Sequence, residues 1–362
     1  MLERIVNDGR KFIISTLLAG TIFFTGCAKQ NDYAVTKTED KQYQIAFVSG
    51  EGSFGKIQVI NTDGTGLKTL SDKPSTAPSW SPDGKKLVFV SDYDIWVMNA
   101  DGSKKTRLTR DLNADHPLWS PEGKKIAFES IIDTRVRDVN VEIRTINADG
   151  TGLRRLTNNH KADYLCGWSP DGSKILFVSN EKERPGIYTM NANGSGKKYL
   201  SRERVPILAD TDPHWSPDGR RIVFCSNWGT YEIHTMNADG TEEKWITATT
   251  SKHWLHRGIP EERGDDRFPS WSPDGKYIAF DSEMDGNLEI YRYDILKNGW
   301  PKRLTANKAR DFAPVWTPDG KIVFISDRDG NNEVCILDGR GYKRLTHNDI
   351  GDGDIAVCPV RN

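Results

Sequence analysis

Apolar positions in this 362-residue chain come in short bursts bounded by turn formers, and no segment sustains a helical period. The recurring burst is an I-x-F or L-x-F triplet ending at Phe47, Phe89, Phe128, Phe177, Phe224, Phe280 and Phe324. Before all but the first stands a pentapeptide W-[ST]-P-[DE]-G, starting at Trp80, Trp119, Trp168, Trp215, Trp271 and Trp316. An N-x-[DN]-G turn begins at Asn61, Asn99, Asn147, Asn191 and Asn237, and degenerates to Lys297-Asn298-Gly299 and Asp338-Gly339 in the last two units. A basic strand ending at Leu70, Leu108, Leu156, Leu200, Ile246, Leu304 or Leu345 completes each unit.

The turn residues have physical reasons. Pro presets φ for the first central position of a type I turn and Gly relieves the exit, while N-A-D-G tolerates the positive φ of a tight hairpin. Units of four short strands repeating at this length predict an all-β chain, a seven-bladed β-propeller of four-stranded blades. A six-bladed ring is the alternative. The first unit lacks its Trp strand. Leu345 to Val357 spans the 12 residues that separate Leu from Trp in two earlier units, and Val357-Cys358-Pro359 lies where W-[ST]-P belongs. The C-terminal strand is therefore expected to close the ring by entering the first blade.

Residues 12–24 form an apolar stretch after Arg10 and Lys11. A helix of that length rises about 20 Å, short of a hydrocarbon core of roughly 30 Å, so it is expected to be a signal-peptide core. Thr25-Gly26-Cys27 resembles a bacterial lipobox, which implies cleavage after Gly26 and lipid attachment to Cys27; an ordinary secretory signal containing a cysteine is the other reading. The expected organisation is a signal peptide over 1–26, a flexible polar tether over 27–41 and a propeller over 42–362.

The run W-S-P-D-G-x-x-I-A-F followed by I-Y-x-M-N-A-D-G-T resembles the WD40-like repeat of TolB-type propellers, over nearly the whole chain after the tether. The resemblance implies a TolB-like lipoprotein with an interaction role near the outer membrane or peptidoglycan, in the periplasm. TolB itself has an α/β domain and six blades, so a TolB-like protein is expected rather than TolB. The same repeat occurs in oligogalacturonate lyases and in the gating propellers of prolyl-oligopeptidase-like peptidases, so it specifies fold more than function.

With 50 Lys plus Arg against 51 Asp plus Glu, the chain is not a basic nucleic-acid binder. Its five cysteines show no metal-type spacing. The W-to-F and N-to-L spacings are nearly constant, whereas the loops on the other face vary, the longest running from Ile246 to Trp271. Recognition is expected on that variable face. Its long loop carries His253, Trp254, His256 and Arg257, read as surface recognition in preference to a metal site.

Asp163, Asp210, Asp266 and Asp311 each lie five residues before a Trp, Asp115 lies four before, and Asp352 lies five before Val357. They are expected either to form an acidic ring at the channel mouth or to bond the backbone of their own turns. The expected activity is binding of an envelope protein or peptide with basic residues, by a monomeric non-enzyme with no cofactor. The rival is a carbohydrate-active enzyme resembling oligogalacturonate lyase, with His116, His214 and the loop histidines His253 and His256 holding a divalent metal in the channel.

The anchor is testable. Cys27→Ser should abolish palmitate labelling and leave the protein unprocessed or soluble, because each buried methylene of an acyl chain contributes about 0.8 kcal/mol of membrane attachment. Labelling that persists in the variant would contradict it.

Overall fold

The computed structural model describes residues 42–360 apart from 51–54, 134–139, 183–184, 202–209, 228–229, 248–263, 298 and 340. Among the described residues there is no helix, and the strands form seven four-stranded antiparallel sheets. The chain is a seven-bladed β-propeller. Blade 2 shows the plan, with strands Thr76–Trp80, Lys86–Ser91, Asp94–Asn99 and Thr106–Arg107 running outward in chain order. The innermost strands of blades 3 to 7 are Ala114–Trp119, Asp163–Trp168, Asp210–Trp215, Asp266–Trp271 and Asp311–Trp316. Blade 1 is composite. Its innermost strand is Asp352–Val357, which pairs with Gln44–Ser49 so that Val357 faces Ile45 and Asp352 faces Ser49. The C-terminal strand thus closes the ring, and consecutive inner strands pack against one another all the way round a central channel.

The core lies between blades. Between blades 1 and 2, Ala46, Ile57, Val59 and Leu70 meet Trp80, Leu87, Phe89 and Met98. Between blades 7 and 1, Val323, Ile325, Val334 and Ile336 meet Ile45, Phe47 and Ile60. The phenylalanine of every unit is buried in this way. The tryptophan ending an inner strand fills the wedge toward the preceding blade, and its indole N–H donates to a carbonyl there: Trp80 to Ala356 at 3.2 Å, Trp168 to Leu118 at 3.3 Å, Trp271 to His214 at 3.3 Å, Trp316 to Ser270 at 3.0 Å.

Two polar devices recur among the blades. In the W-S-P-D-G turn, Ser81 Oγ donates to Asp83 Oδ1 at 2.6 Å and accepts from the Lys86 N–H at 2.9 Å, and Gly84 takes φ 67°. At the opposite face an acid opening the third strand is clasped by an arginine and a threonine of the fourth. Arg155 donates to Glu142 at 2.7 Å and through Nε to the Thr157 carbonyl at 2.8 Å. Glu289 with Arg303, Glu333 with Arg344 and Asp94 with Arg107 repeat the arrangement. These carboxylates are buried, so removing the arginine leaves a charge without its counter-ion, at a cost of about 3 kcal/mol.

Deleting residues 354–362 should remove the inner strand of blade 1 together with the Trp80 hydrogen bond, and expose the edges of two blades. A fall in melting temperature of about 10 °C or more, or aggregation, is expected by differential scanning calorimetry. An unchanged melting temperature would mean that the tail is dispensable to the ring.

Candidate functional site

The channel wall is shaped by a proline. Five inner strands carry one two residues before the Trp, at Pro78, Pro117, Pro213, Pro269 and Pro314. Proline has no N–H to give the ladder, so pairing with the second strand slips by one residue at that point and a bulge forms. The residue before each proline, Ala77, His116, Asp212, Phe268 or Ala313, adopts φ between 44° and 53°. Asp354 does so in blade 1 without a proline, and blade 4 slips at Leu165 without a positive φ. Left-handed backbone at a non-glycine residue is strained, and here it recurs at one level of the channel. His116, Asp212, Phe268 and Asp354 are thereby exposed to the lumen.

The neighbouring blade stabilises the bulge. Glu129, the residue after Phe128, accepts the Leu165 N–H at 2.8 Å, and Asp281, after Phe280, accepts the Ala313 N–H at 2.8 Å. Asp354 accepts the Ala77 N–H at 3.2 Å. At this position the other units carry Val48, Val90, Val178, Cys225 and Ile325, so two acids stand in an otherwise apolar or thiol ring.

These acids set the electrostatics. His116 Nδ1 lies 3.5 Å from Glu129 and 3.7 Å from Asp115. The bond to Glu129, reinforced by Asp115 and Asp354, pushes its pKa up to about 9 although burial opposes the charge, so it is a cation at neutral pH. Burial pushes Asp281 up to about 7, with Asp266 and Asp212 adding to the effect, and its Oδ1 has no hydrogen-bond partner. His214 is open to water but walled by protein, and this enclosure lowers its pKa. Burial raises the pKa of the Cys166 thiol, which stays protonated. Cys166, Cys225, Cys335 and Cys358 are unpaired.

The expected acidic ring requires correction. Asp163, Asp266, Asp311 and Asp352 are at most 3% exposed, because the first residue of an inner strand points back into its own blade. Asp311 accepts from Ser326 at 2.6 Å, Asn307 at 2.7 Å and Arg328 at 2.8 Å. Asn159 donates to Asp163 at 2.7 Å and Asn348 to Asp352 at 3.1 Å. Asp210 is partly open and accepts from Ser226 at 2.6 Å. Asp115 is open, but is engaged with His116. The acids that do face the lumen are Asp212 and Asp354, one bulge away from the expected positions. His253, Trp254, His256, Arg257 and Cys27 lie outside the described residues. His116 and His214 sit at different levels of different blades. Among the described residues no cluster of three or more metal-ligating side chains occurs.

Asp281→Asn tests the lumen electrostatics. A buried carboxyl whose pKa is raised from the model-peptide value of about 3.9 stabilises the fold below pH 4, and that contribution is lost as pH rises through 7. The amide mimics the protonated acid and can still accept from Ala313. The variant's melting temperature should exceed that of the wild type by a margin that grows between pH 4 and pH 7 and is constant above. A margin independent of pH would contradict the assignment.

Comparison with known proteins agrees with this architecture. Residues 77–205 match the Tricorn protease N-terminal beta propeller domain, 200–299 the dipeptidyl peptidase IV N-terminal region and 255–354 the TolB beta propeller domain. A TolB homolog of Chlorobium luteolum is 31% identical over 154 residues, which is 42% of this chain and only 31% of that relative's length. TolB from Acinetobacter baumannii superimposes with a TM-score of 0.54 at 20% identity, over 88% of this chain and 67% of that one. Oligogalacturonate lyase from Vibrio parahaemolyticus gives 0.62 at 12% identity, over 81% and 91%. At such identities the superpositions speak for the fold alone. With its closed ring the chain is a seven-bladed β-propeller, and its repeats are similar to those of the TolB beta propeller domain over residues 255–354.

Proposed function

We propose that this propeller is a binding scaffold of the bacterial envelope, lipid-anchored through Cys27 and exposed to the periplasm, and that it captures a protein or peptide segment bearing basic residues at the channel mouth. One observation carries the reading: strained bulges turn Asp212, Asp354, Phe268 and His116 into the lumen on the face where the connecting loops vary in length. Phe268 offers an exposed ring for an apolar anchor, and Tyr164, second in the inner strand of blade 4, offers another. Asp212 and Asp354 supply charge for a lysine or arginine, while protonated His116 excludes a second cation from its own side of the channel. Carboxylates in a low-dielectric lumen steer a basic segment and fix its register.

The lyase-like reading is weaker. It needs imidazoles converging on one point, whereas His116 and His214 stand at different levels of different blades.

A photo-crosslinking residue at Phe268 should form an adduct with an envelope protein in intact cells, and one at Leu153, exposed on the constant face, should not. Asp212→Asn with Asp354→Asn should lower the adduct yield about tenfold and remove most of its salt sensitivity. Asp83→Asn, in a constant turn, should leave it unchanged. Equal adducts from both faces would sink the proposal.

A further inference from the structure

The constant face carries a second kind of concavity, at the junctions between blades. One cavity of about 420 Å³ opens between the W-S-P-D-G turns of blades 4 and 5, walled by Asp171, Ser173 and Lys174 on one side and by Trp215 and Asp218 on the other. The next junction repeats it, with about 330 Å³ between Asp218 and Arg221 of blade 5 and Trp271 and Asp274 of blade 6. Asp218 belongs to both walls.

These junctions are open because nothing fills them. At the equivalent place between blades 3 and 4 the turn is S-P-E-G, and Glu122 Oε2 reaches to 2.9 Å from where a Cβ on Gly172 would lie. Between blades 1 and 2, Val360 and Cys358 crowd Gly84. Where aspartate replaces that glutamate, only the Pro170 ring lies near Gly219, at 3.5 Å, and only Pro217 near Gly275, at 3.8 Å. An independent observation marks the first cavity. Trp215 is the one wedge tryptophan of the six whose side chain is not buried, although its Nε1 is enclosed and, like that of Trp119, has no acceptor.

We propose that these two junctions are saccharide-binding sites, each taking one or two rings of a neutral glycan. The chemistry of the walls selects that class. At the first junction the partly open Trp215 suits the C–H face of a pyranose, and at both a rim alternating carboxylates and hydroxyls with Lys174 or Arg221 suits its hydroxyl edges. Asp171 and Asp218 against Lys174 leave a net charge of −1, which disfavours an anion. Asp218 uses Oδ1 for its own turn, accepting from Ser216 at 2.6 Å and from the Arg220 N–H at 3.1 Å, so its carboxylate is held in place before a ligand arrives. The cavity volumes fall at the low end of the range of about 300–1,000 Å³ for small-molecule sites. Because adjacent sites share a wall, one glycan chain can occupy both, and affinity rises through effective concentration.

The protein supplies its own plug for the test. Asp171→Glu and Asp218→Glu reproduce the S-P-E-G turn that blade 3 already folds with. Purified protein should transfer magnetisation to chitotriose, maltotriose or galactotriose in saturation-transfer NMR, and the double variant should bind the responding sugar at least about tenfold more weakly. Independently of any variant, the sugar should shift the indole N–H signal of Trp215 in the ¹⁵N spectrum and leave that of Trp80 in place. No transfer to any of the three sugars, equal affinity in the double variant, or shifts that spare Trp215 would each overturn the assignment. Crosslinking at Phe268 is unaffected by the plugs, so failure here is separable from failure of the channel reading.

Discussion

Everything in this molecule depends on the wedge between blades. A sheet of four short strands has two apolar faces and cannot bury either alone, so each blade is stable only against its neighbours. The tryptophan at the end of each inner strand fills the narrow end of that wedge, and in four blades its N–H is tied to the preceding blade's backbone. The bond from Trp80 to Ala356 is the same contact made across the chain's two ends, so the seam is built like any other junction.

Given a rigid ring, the inner strands can bear local strain. A proline that breaks the ladder would fray an isolated hairpin, but here the neighbouring blade receives the freed N–H on Asp281 or Asp354, as Glu129 does for the proline-free bulge of blade 4. The bulge turns a side chain into the lumen, where the residue before the proline varies from alanine to phenylalanine, histidine and aspartate. Scaffold and chemistry are thus separated within a single strand: Trp and Pro hold the shape while the residue before the proline changes from blade to blade.

Fold and site differ in how far the sequence reveals them. Turns at constant spacing, the phenylalanine triplets and the 12-residue gap to Val357 disclose seven units and the closing strand, because each reports a local requirement that recurs. Directions inside the inner strand are harder to see. Counting in twos would place the residues five and three before the Trp on one side, but the bulge between them inserts a residue and reverses the alternation. For this reason Asp163 and Asp311 are buried, and Asp212 and Asp354 are open. The proline two places before five of the tryptophans was the available signal, and so were the acids at Glu129 and Asp281 in a position otherwise apolar or cysteine.

The composite first blade also imposes an order of events. Gln44–Ser49 leaves the ribosome more than three hundred residues before its partner Asp352–Val357, and until then the first sheet lacks its innermost strand. Blades 2 to 7 are each complete as soon as their own four strands have emerged, so folding can advance along the chain while the two ends stay open. The last step brings together the segments furthest apart in sequence, the contact with the largest loop-closure entropy in the fold. The unpaired inner edge of Gln44–Ser49 is then the longest-lived sticky strand during biogenesis, and a chain arrested before residue 352 is the form most prone to join a second copy edge to edge.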